Sequence, residues 1–122
     1  MNVTAISSLK KFHLVTAAST NQNSLSIVPT GLDGFVAWAT VVCYLKVFDL
    51  ARAPVLGTDV PTMTFMIPAN VPQRIDWGVE TCAMKNGLQI AVTLNPADND
   101  ATVLAAANTS GVEVFYSPQS GV

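Results

Sequence analysis

Charged side chains are scarce in this chain of 122 residues. Lysine, arginine, aspartate and glutamate together make up 11% of it, and the net charge is −2, whereas soluble domains usually carry about 25% charged residues. The six basic residues are scattered, apart from the adjacent Lys10 and Lys11. Because binding to nucleic acid requires clustered cations that neutralise phosphates, this composition argues against a nucleic-acid partner.

The same scarcity bears on the protein surface. Hydrophobic residues make up 50% of the chain, and a single domain of this size has too much surface for its volume to bury them all. With few charges available, part of the surface must be apolar or neutral. Such a surface is typical of oligomers and assembly components, and a monomer covered by Thr, Asn, Ser and Gln is the alternative.

Histidine is nearly absent, which leaves little for catalysis. A histidine base is the usual partner of a nucleophile, and His13 is the only histidine in the chain. No GxSxG, HExxH, Walker or GxGxxG pattern occurs. Asp98 and Asp100 lie close together in "NPADND". Their oxygens would suit calcium, but the spacing is not that of an EF-hand and the residues are ordinary turn formers. We therefore expect no enzymatic activity, no metal and no cofactor.

Long hydrophobic runs and cysteine motifs are also missing. The longest low-charge run, residues 34–45, is shorter than the roughly 20 residues that span a bilayer, and the N-terminus has no signal-peptide pattern. We expect no membrane segment, and synthesis and assembly in the cytoplasm. Cys43 and Cys82 lack CxxC spacing and lie in apolar, strand-like sequence. Free buried thiols are favoured, and a disulfide remains the alternative.

What the chain does contain is alternation of apolar and polar residues, which predicts β-strands. The pattern is clearest in "PTMTFMIP" and "GLQIAVTL", clear in "VEVFYS", "QRIDWG" and "SLSIV", and weaker in "FHLVTAA". The run at residues 34–50 is one long strand, two strands with a turn near residues 40–42, or a buried helix. Its β-branched and aromatic residues favour strands, and its length favours two.

About eight strands without a helical pattern predict an all-β fold, an antiparallel β-sandwich of jelly-roll type. The long connections at residues 51–61 and 95–111 are expected to cross between the two sheets. We assign residues 1–10 to an N-terminal arm, 11–117 to one sandwich domain and 118–122 to a C-terminal tail.

Trp38 and Trp77 are the only tryptophans, and each lies in an alternating segment. Tryptophan stacks on sugars in carbohydrate-binding sandwiches. Core packing or a subunit interface is the alternative, and the position of both residues within strand patterns favours it.

One stretch, residues 44–68, carries a recognisable pattern: "YLKVFDLARAPVLGTDVPTMTFMIP". A strand ending in Tyr-Leu-Lys is followed by an Ala-x-Ala-Pro turn, by Gly-Thr-Asp-x-Pro and by a strand that closes on Pro. Together with "GLQIAVTLNPADNDATVLAAANTSGVEVFY", this pattern resembles small virion proteins of tailed bacteriophages over residues 31–116.

That resemblance implies a capsid cement or decoration protein located on the virion. Such a protein is a jelly-roll homotrimer that binds the major capsid protein on the outer face of the head and stabilises contacts between capsomers. A tail- or neck-associated β-sandwich that binds a host glycan is the alternative function.

The candidate contact surface consists of the N-terminal arm and the long loop. Pro54 and Pro61 restrict the loop backbone, and a stiff loop loses less entropy when it docks on a partner. Arg52 and Asp59 flank the loop and either bridge it or reach a neighbouring subunit. The candidate residues are Lys10, Lys11, Arg52, Pro54, Val55, Leu56 and Asp59.

Overall fold

The computed structural model describes residues 10–14, 22–77, 81–105 and 109–118. Within these ranges the chain forms strands and no helix, so no described segment is a helix that would cross a membrane. This confirms the all-β prediction. The strands are β1 Lys10–Leu14, β2 Gln22–Ser26, β3 Thr30–Ala39, β4 Cys43–Phe48, β5 Met63–Ile67, β6 Gln73–Asp76, β7 Cys82–Met84, β8 Leu88–Thr93 and β9 Thr109–Pro118.

The strands form two antiparallel sheets that pack as a sandwich. The first sheet has the order β1-β9-β3-β6, with β7 also paired to β3, and the second has the order β2-β8-β4-β5. If the short β7 is set aside, the chain pairs like one long hairpin that has been rolled up. The first strand pairs with the last, the second with the second-last, the third with the sixth and the fourth with the fifth. This pairing is that of a jelly roll.

The short strand β7 is the one that the alternation did not predict. Its three residues, Cys82–Met84, pair with Thr30 to Leu32 at the start of β3. Three residues are too few for an alternating pattern to stand out from a turn. At the two ends of the domain, β1 begins at Lys10 and β9 ends at Pro118. The rest of the predicted arm and tail lies outside the described residues.

The core lies between the two sheets and follows the predicted alternation. From the second sheet it contains Leu88, Ile90 and Val92 of β8, and from the first sheet Val112 and Val114 of β9, all buried. An aromatic cluster closes one side: the Phe65 ring centroid lies 5.0 Å from that of Phe35 and 6.0 Å from that of Trp77. Such ring pairs contribute roughly 0.5–1.5 kcal/mol each beyond the area they bury.

The two cysteines are free, as the sequence favoured. Cys43 belongs to the buried core and Cys82 is half-buried against it. Burial raises the pKa of the Cys43 thiol to about 11, so this thiol remains protonated and unreactive at neutral pH.

The ambiguous run at residues 34–50 is resolved into two strands with a turn at residues 40–42. Because β3 belongs to the first sheet and β4 to the second, this short turn crosses between the sheets. The connection from β8 to β9 also crosses, as predicted.

The loop at residues 51–61 does not cross, and that prediction is wrong. It joins β4 to β5, which are direct neighbours in the second sheet, with Cys43 opposite Ile67 and Val47 opposite Met63. The loop is therefore a long excursion from a single hairpin. Loop length alone does not distinguish a crossover from an excursion, because both require more residues than a tight turn.

Candidate functional site

The outer face of the second sheet is buried along its central strands β4 and β8, although the outer face of an antiparallel sheet commonly meets water. Lys46 and Phe48 of β4 alternate with core residues, as do Gln89, Ala91 and Thr93 of β8, and all five are at most 1% exposed. Two long connections lie over this face. We call residues 49–62 the β4–β5 loop and residues 94–105 the β8–β9 loop.

Lys46, on the outer face of β4, lies beneath the β8–β9 loop and holds it in place. Its Nζ donates hydrogen bonds to the carbonyl oxygens of Ala97 (2.5 Å) and Asp100 (3.3 Å). Burial lowers the pKa of Lys46, and the nearby charges of Asp100 and Asp98 oppose that effect. A buried ammonium without partners would be very costly, so the loop and the lysine depend on each other.

Asp100 gives the same loop its shape. Its carboxylate accepts hydrogen bonds from the backbone and side chain of Asn95 (3.1 and 3.2 Å) and of Thr102 (3.3 and 2.8 Å). Burial raises the pKa of Asp100, but these four bonds outweigh it and the pKa lies below its usual value. The "NPADND" segment is thus a turn held in one conformation by hydrogen bonds. No group of three or more metal-ligating side chains occurs in the described part of the chain.

The β4–β5 loop is closed by a bidentate ion pair. The Arg52 guanidinium donates to both Asp59 oxygens at 2.7 and 2.9 Å, and Asp59 also accepts the Val55 amide at 2.7 Å. These hydrogen bonds, chiefly the one from Arg52, lower the pKa of Asp59 to about 2. Of the two roles considered for Arg52 and Asp59, the structure shows the bridge within the loop.

The two loops also contact each other. Gly57 has a φ of +91°, a backbone conformation that side-chain-bearing residues rarely adopt. A β-carbon built there would lie 3.7 Å from the Asn99 carbonyl oxygen. The glycine thus makes the turn of the β4–β5 loop and places it against the β8–β9 loop.

A further clamp holds the start of the β4–β5 loop. The Asp49 carboxylate accepts the backbone amides of Lys85 (3.0 Å), Asn86 (2.8 Å) and Gly87 (3.3 Å). Partial burial raises the pKa of Asp49, but the amide bonds together lower it below its usual value. A β-carbon on Gly87 would collide with the Leu50 carbonyl oxygen, so only glycine permits this close approach.

The candidate residues of the loop differ in exposure. Arg52 and Val55 are exposed, Leu56 and Asp59 are half-buried and Pro54 is buried. Val55 is 53% exposed, and Val60, which the sequence analysis did not single out, is 68% exposed. The loop therefore packs on its prolines and presents two valines to solvent.

The lysine pair lies apart from the loop. Lys10 and Lys11 are exposed on β1, and Lys11 Nζ lies 3.2 Å from Glu113 Oε1. Because β1 belongs to the first sheet and the loop covers the second, the structure does not bring the two parts of the candidate surface together.

The remaining candidate residues have separate locations. Trp77 packs against Phe65 and the core, whereas Trp38 is 45% exposed on β3. His13 lies on β1, and its side chain is outside the described part.

The residues that sequence reasoning missed are Lys46 and Asp49. A lysine at the centre of the apolar segment "YLKVF" was the one available signal for Lys46. Comparison with known proteins adds no identity, since no family model, no curated protein and no solved structure matches the chain.

Proposed function

We propose that this protein is a structural virion protein of a tailed bacteriophage. In this proposal it is a capsid cement or decoration protein that binds the outer face of the head as a trimer. It contacts the major capsid protein and stabilises the contacts between capsomers. The sequence resemblance over residues 31–116 supports this function. Jelly rolls are frequent among viral capsid proteins, although a fold alone does not select a function.

The observation that carries the proposal is the ordered β4–β5 loop. Arg52, Asp59 and Asp49 fasten it with side-chain hydrogen bonds, while Val55 and Val60 remain exposed. A loop that is ordered before docking pays little conformational entropy on binding. Burying its valines then contributes about 25 cal/mol for each Å² of apolar surface removed from water.

Trimerisation would multiply such a weak contact. A single loop with two exposed valines offers a small contact area, well below that of a stable protein–protein interface. When three copies dock on neighbouring capsomers, each later contact forms at a high effective concentration, which can raise the avidity by orders of magnitude. The proposal therefore requires an oligomer.

The test combines solution mass with binding to shells. Light scattering measures the oligomeric state, and co-sedimentation with purified head shells that lack this protein measures binding. We expect a trimer that binds shells. The paired substitution Val55→Asp and Val60→Asp should reduce binding at least tenfold, since two charges would be buried at the contact.

The matched control is Val71→Asp. Val71 is 52% exposed in the turn between β5 and β6, at the opposite end of β5 from the loop. This variant should bind shells like the wild type. A monomer that ignores shells would refute the proposal, and equal binding by the loop variant would refute the loop as the contact surface.

The alternative of a tail- or neck-associated glycan-binding protein is favoured by one observation. Trp38 is 45% exposed, as expected for a side chain that stacks on sugar. Locating the protein in an electron cryomicroscopy reconstruction of the virion distinguishes a position on the head from one on the tail or neck.

A further inference from the structure

The outer face of the first sheet carries a cleft of about 220 Å³. It lies between β9, β3 and β6. Its walls include the apolar side chains of Val36 and Phe115, and its rim includes Asp33, Arg74 and Asp76. It lies on a different sheet from the β4–β5 loop, so it is independent of the proposed contact with the capsid.

Gly34 creates the depression in the sheet. In the strand register Gly34 lies between Phe115 on β9 and Asp76 on β6. A residue with a side chain would fill the notch between these neighbours. A β-carbon at this position would also lie 2.5 Å from the Ile75 carbonyl oxygen, so the close pairing of β3 and β6 requires glycine here.

A β-bulge places a carboxylate at the rim. The register between β3 and β9 shifts between Leu32 and Gly34, which leaves Asp33 as the extra residue. Bulges re-aim side chains and are frequent beside binding sites. Ser117 Oγ donates a hydrogen bond to Asp33 Oδ2 at 2.7 Å, and the Trp77 amide donates to the Asp33 carbonyl oxygen at 3.0 Å. The Ser117 hydroxyl thus orients the carboxylate, and the Trp77 amide fixes the backbone of the bulge.

The opposite rim supplies groups of both signs. Arg74 and Asp76 lie on β6 with side chains that are 73% and 60% exposed, and Arg74 Nη2 lies 3.6 Å from Asp76 Oδ2. An anionic ligand would meet the carboxylates of Asp33 and Asp76, and a cationic ligand would meet the guanidinium of Arg74. A neutral ligand that both donates and accepts hydrogen bonds suits the rim best.

From this arrangement we infer that the cleft binds a neutral saccharide. A sugar ring has an apolar C–H face for Phe115 and Val36, and hydroxyl groups that donate to Asp33 and Asp76 and accept from Arg74. The volume lies below the roughly 300–1,000 Å³ of pockets for drug-sized ligands. The cleft therefore holds a single ring.

Trp38 extends the site along β3. It lies two residues beyond Val36 on the same face of the strand, a separation of roughly 7 Å, and is 45% exposed. A second ring of an oligosaccharide stacks there. An oligosaccharide therefore binds more tightly than its monosaccharide.

The test is an NMR titration of the ¹⁵N-labelled protein with uncharged sugars. The probes are the methyl glycosides of glucose, galactose and N-acetylglucosamine, together with trisaccharides of each, up to about 50 mM. We expect the amide signals of Gly34, Asp76 and Phe115 to shift with a dissociation constant that is roughly millimolar for the best monosaccharide. N-acetyl-lysine methylamide and inorganic phosphate should leave them unchanged.

Two exposed substitutions test the rim without endangering the fold. Asp76→Asn and Arg74→Gln should each weaken sugar binding about tenfold, because each removes a charged hydrogen-bond partner. Lys85→Gln, an exposed change in the turn between β7 and β8, should have no effect. Trp38→Ala should weaken binding of the trisaccharide and leave that of the monosaccharide unchanged.

Several results would overturn the inference. One is that the amide signals shift with no sugar, and another is that they shift with N-acetyl-lysine methylamide instead. Undiminished sugar binding by both rim variants would also overturn it. The outcome is separable from that of the capsid experiment. The rim variants should bind shells normally, and the Val55 and Val60 variant should bind sugar normally.

Discussion

The outer faces of the two sheets differ in what lies over them. On the second sheet the β4–β5 and β8–β9 loops bury the polar side chains of Lys46, Gln89 and Thr93 completely. On the first sheet Lys11 remains exposed, as do Arg74 and Asp76 at the rim of an open cleft. The same jelly roll therefore has one face that is internal structure and one that is available to a ligand. Whether a polar residue on an outer face is a buried structural anchor or an exposed binding group therefore depends on whether a loop covers it.

The largest expected difference in stability is between substitutions of one lysine on each outer face. Lys46→Ala should lower the free energy of unfolding by about 3–5 kcal/mol, because it removes a buried aliphatic stem and leaves two loop carbonyls without their donor. Lys11→Ala should cost less than about 0.5 kcal/mol, since the Lys11 side chain is exposed. Urea denaturation measures both.

A third variant separates packing from hydrogen bonding in this comparison. Lys46→Met keeps the stem and removes the ammonium, so its cost should be about 1–2 kcal/mol. Equal costs for Lys46→Ala and Lys11→Ala would show that the β8–β9 loop is not anchored through Lys46.

A smaller difference in stability is expected between substitutions of two aspartates, one beside the β4–β5 loop and one on the open face. Asp49→Ala should cost about 1–2 kcal/mol, because three backbone amides lose their acceptor but can turn to water. Asp76→Ala on the open face should change the free energy of unfolding by less than about 0.5 kcal/mol. Thermal and urea denaturation would check both, and a larger loss for Asp76 than for Asp49 would reverse the assigned roles.

The smallest expected effect is a loosening of the loops over the second sheet at low pH, before the first sheet responds. The pKa of Asp59 is about 2 against an ordinary value of 3.8, and the pKa values of Asp49 and Asp100 are also lowered. A carboxyl whose folded-state pKa is depressed stabilises the fold above its unfolded pKa. That stabilisation is lost as the pH falls through the folded value. The loops should therefore loosen between about pH 4 and pH 2.

Amide hydrogen exchange measures this response. As the pH falls through that window, and after correction for the intrinsic rate, exchange at Val55 and Asp59 should accelerate before exchange in β3 and β9. In Asp59→Asn the early acceleration at Val55 should disappear, because the titrating group is gone. Thr64→Ala, an uncharged and exposed change on β5, should behave like the wild type. Simultaneous acceleration on both sheets would contradict the assignment.

Alternation predicted the core side of most strands, although Ile27, which it placed inward, lies beyond the end of β2 and is 65% exposed. Leu88, Ile90, Val92 and Leu94 were expected on one face of this segment. The first three form part of the core, whereas Leu94 lies beyond the end of β8 and is 37% exposed. Gln89 and Thr93, on the opposite face, are also fully buried, which alternation did not indicate. A period of two separates the faces of a strand, but it carries no information about a loop that arrives from another part of the chain.

Loop chemistry was predicted in part. The pattern "ARAPVLGTDVP" indicated a stiff loop, and Arg52 and Asp59 indeed bridge it. The clamp by Asp49 was missed, because its amide donors come from residues 85–87. The cleft was missed for the same reason, since the bulge at Asp33 exists only in the register between β3 and β9.

The amino-acid sequence by itself determined most of the strands and, for most of them, the side that faces the core. Alternation and turn residues act between near neighbours, so they can be recognised without knowledge of the fold. Only the tertiary structure decided that Lys46 would be an anchor under a loop and that Gly34 would open a cleft. Both roles depend on residues that are distant in the chain, Ala97 for the lysine and Phe115 with Asp76 for the glycine. Strand register and loop docking bring such residues together, and neither is encoded locally.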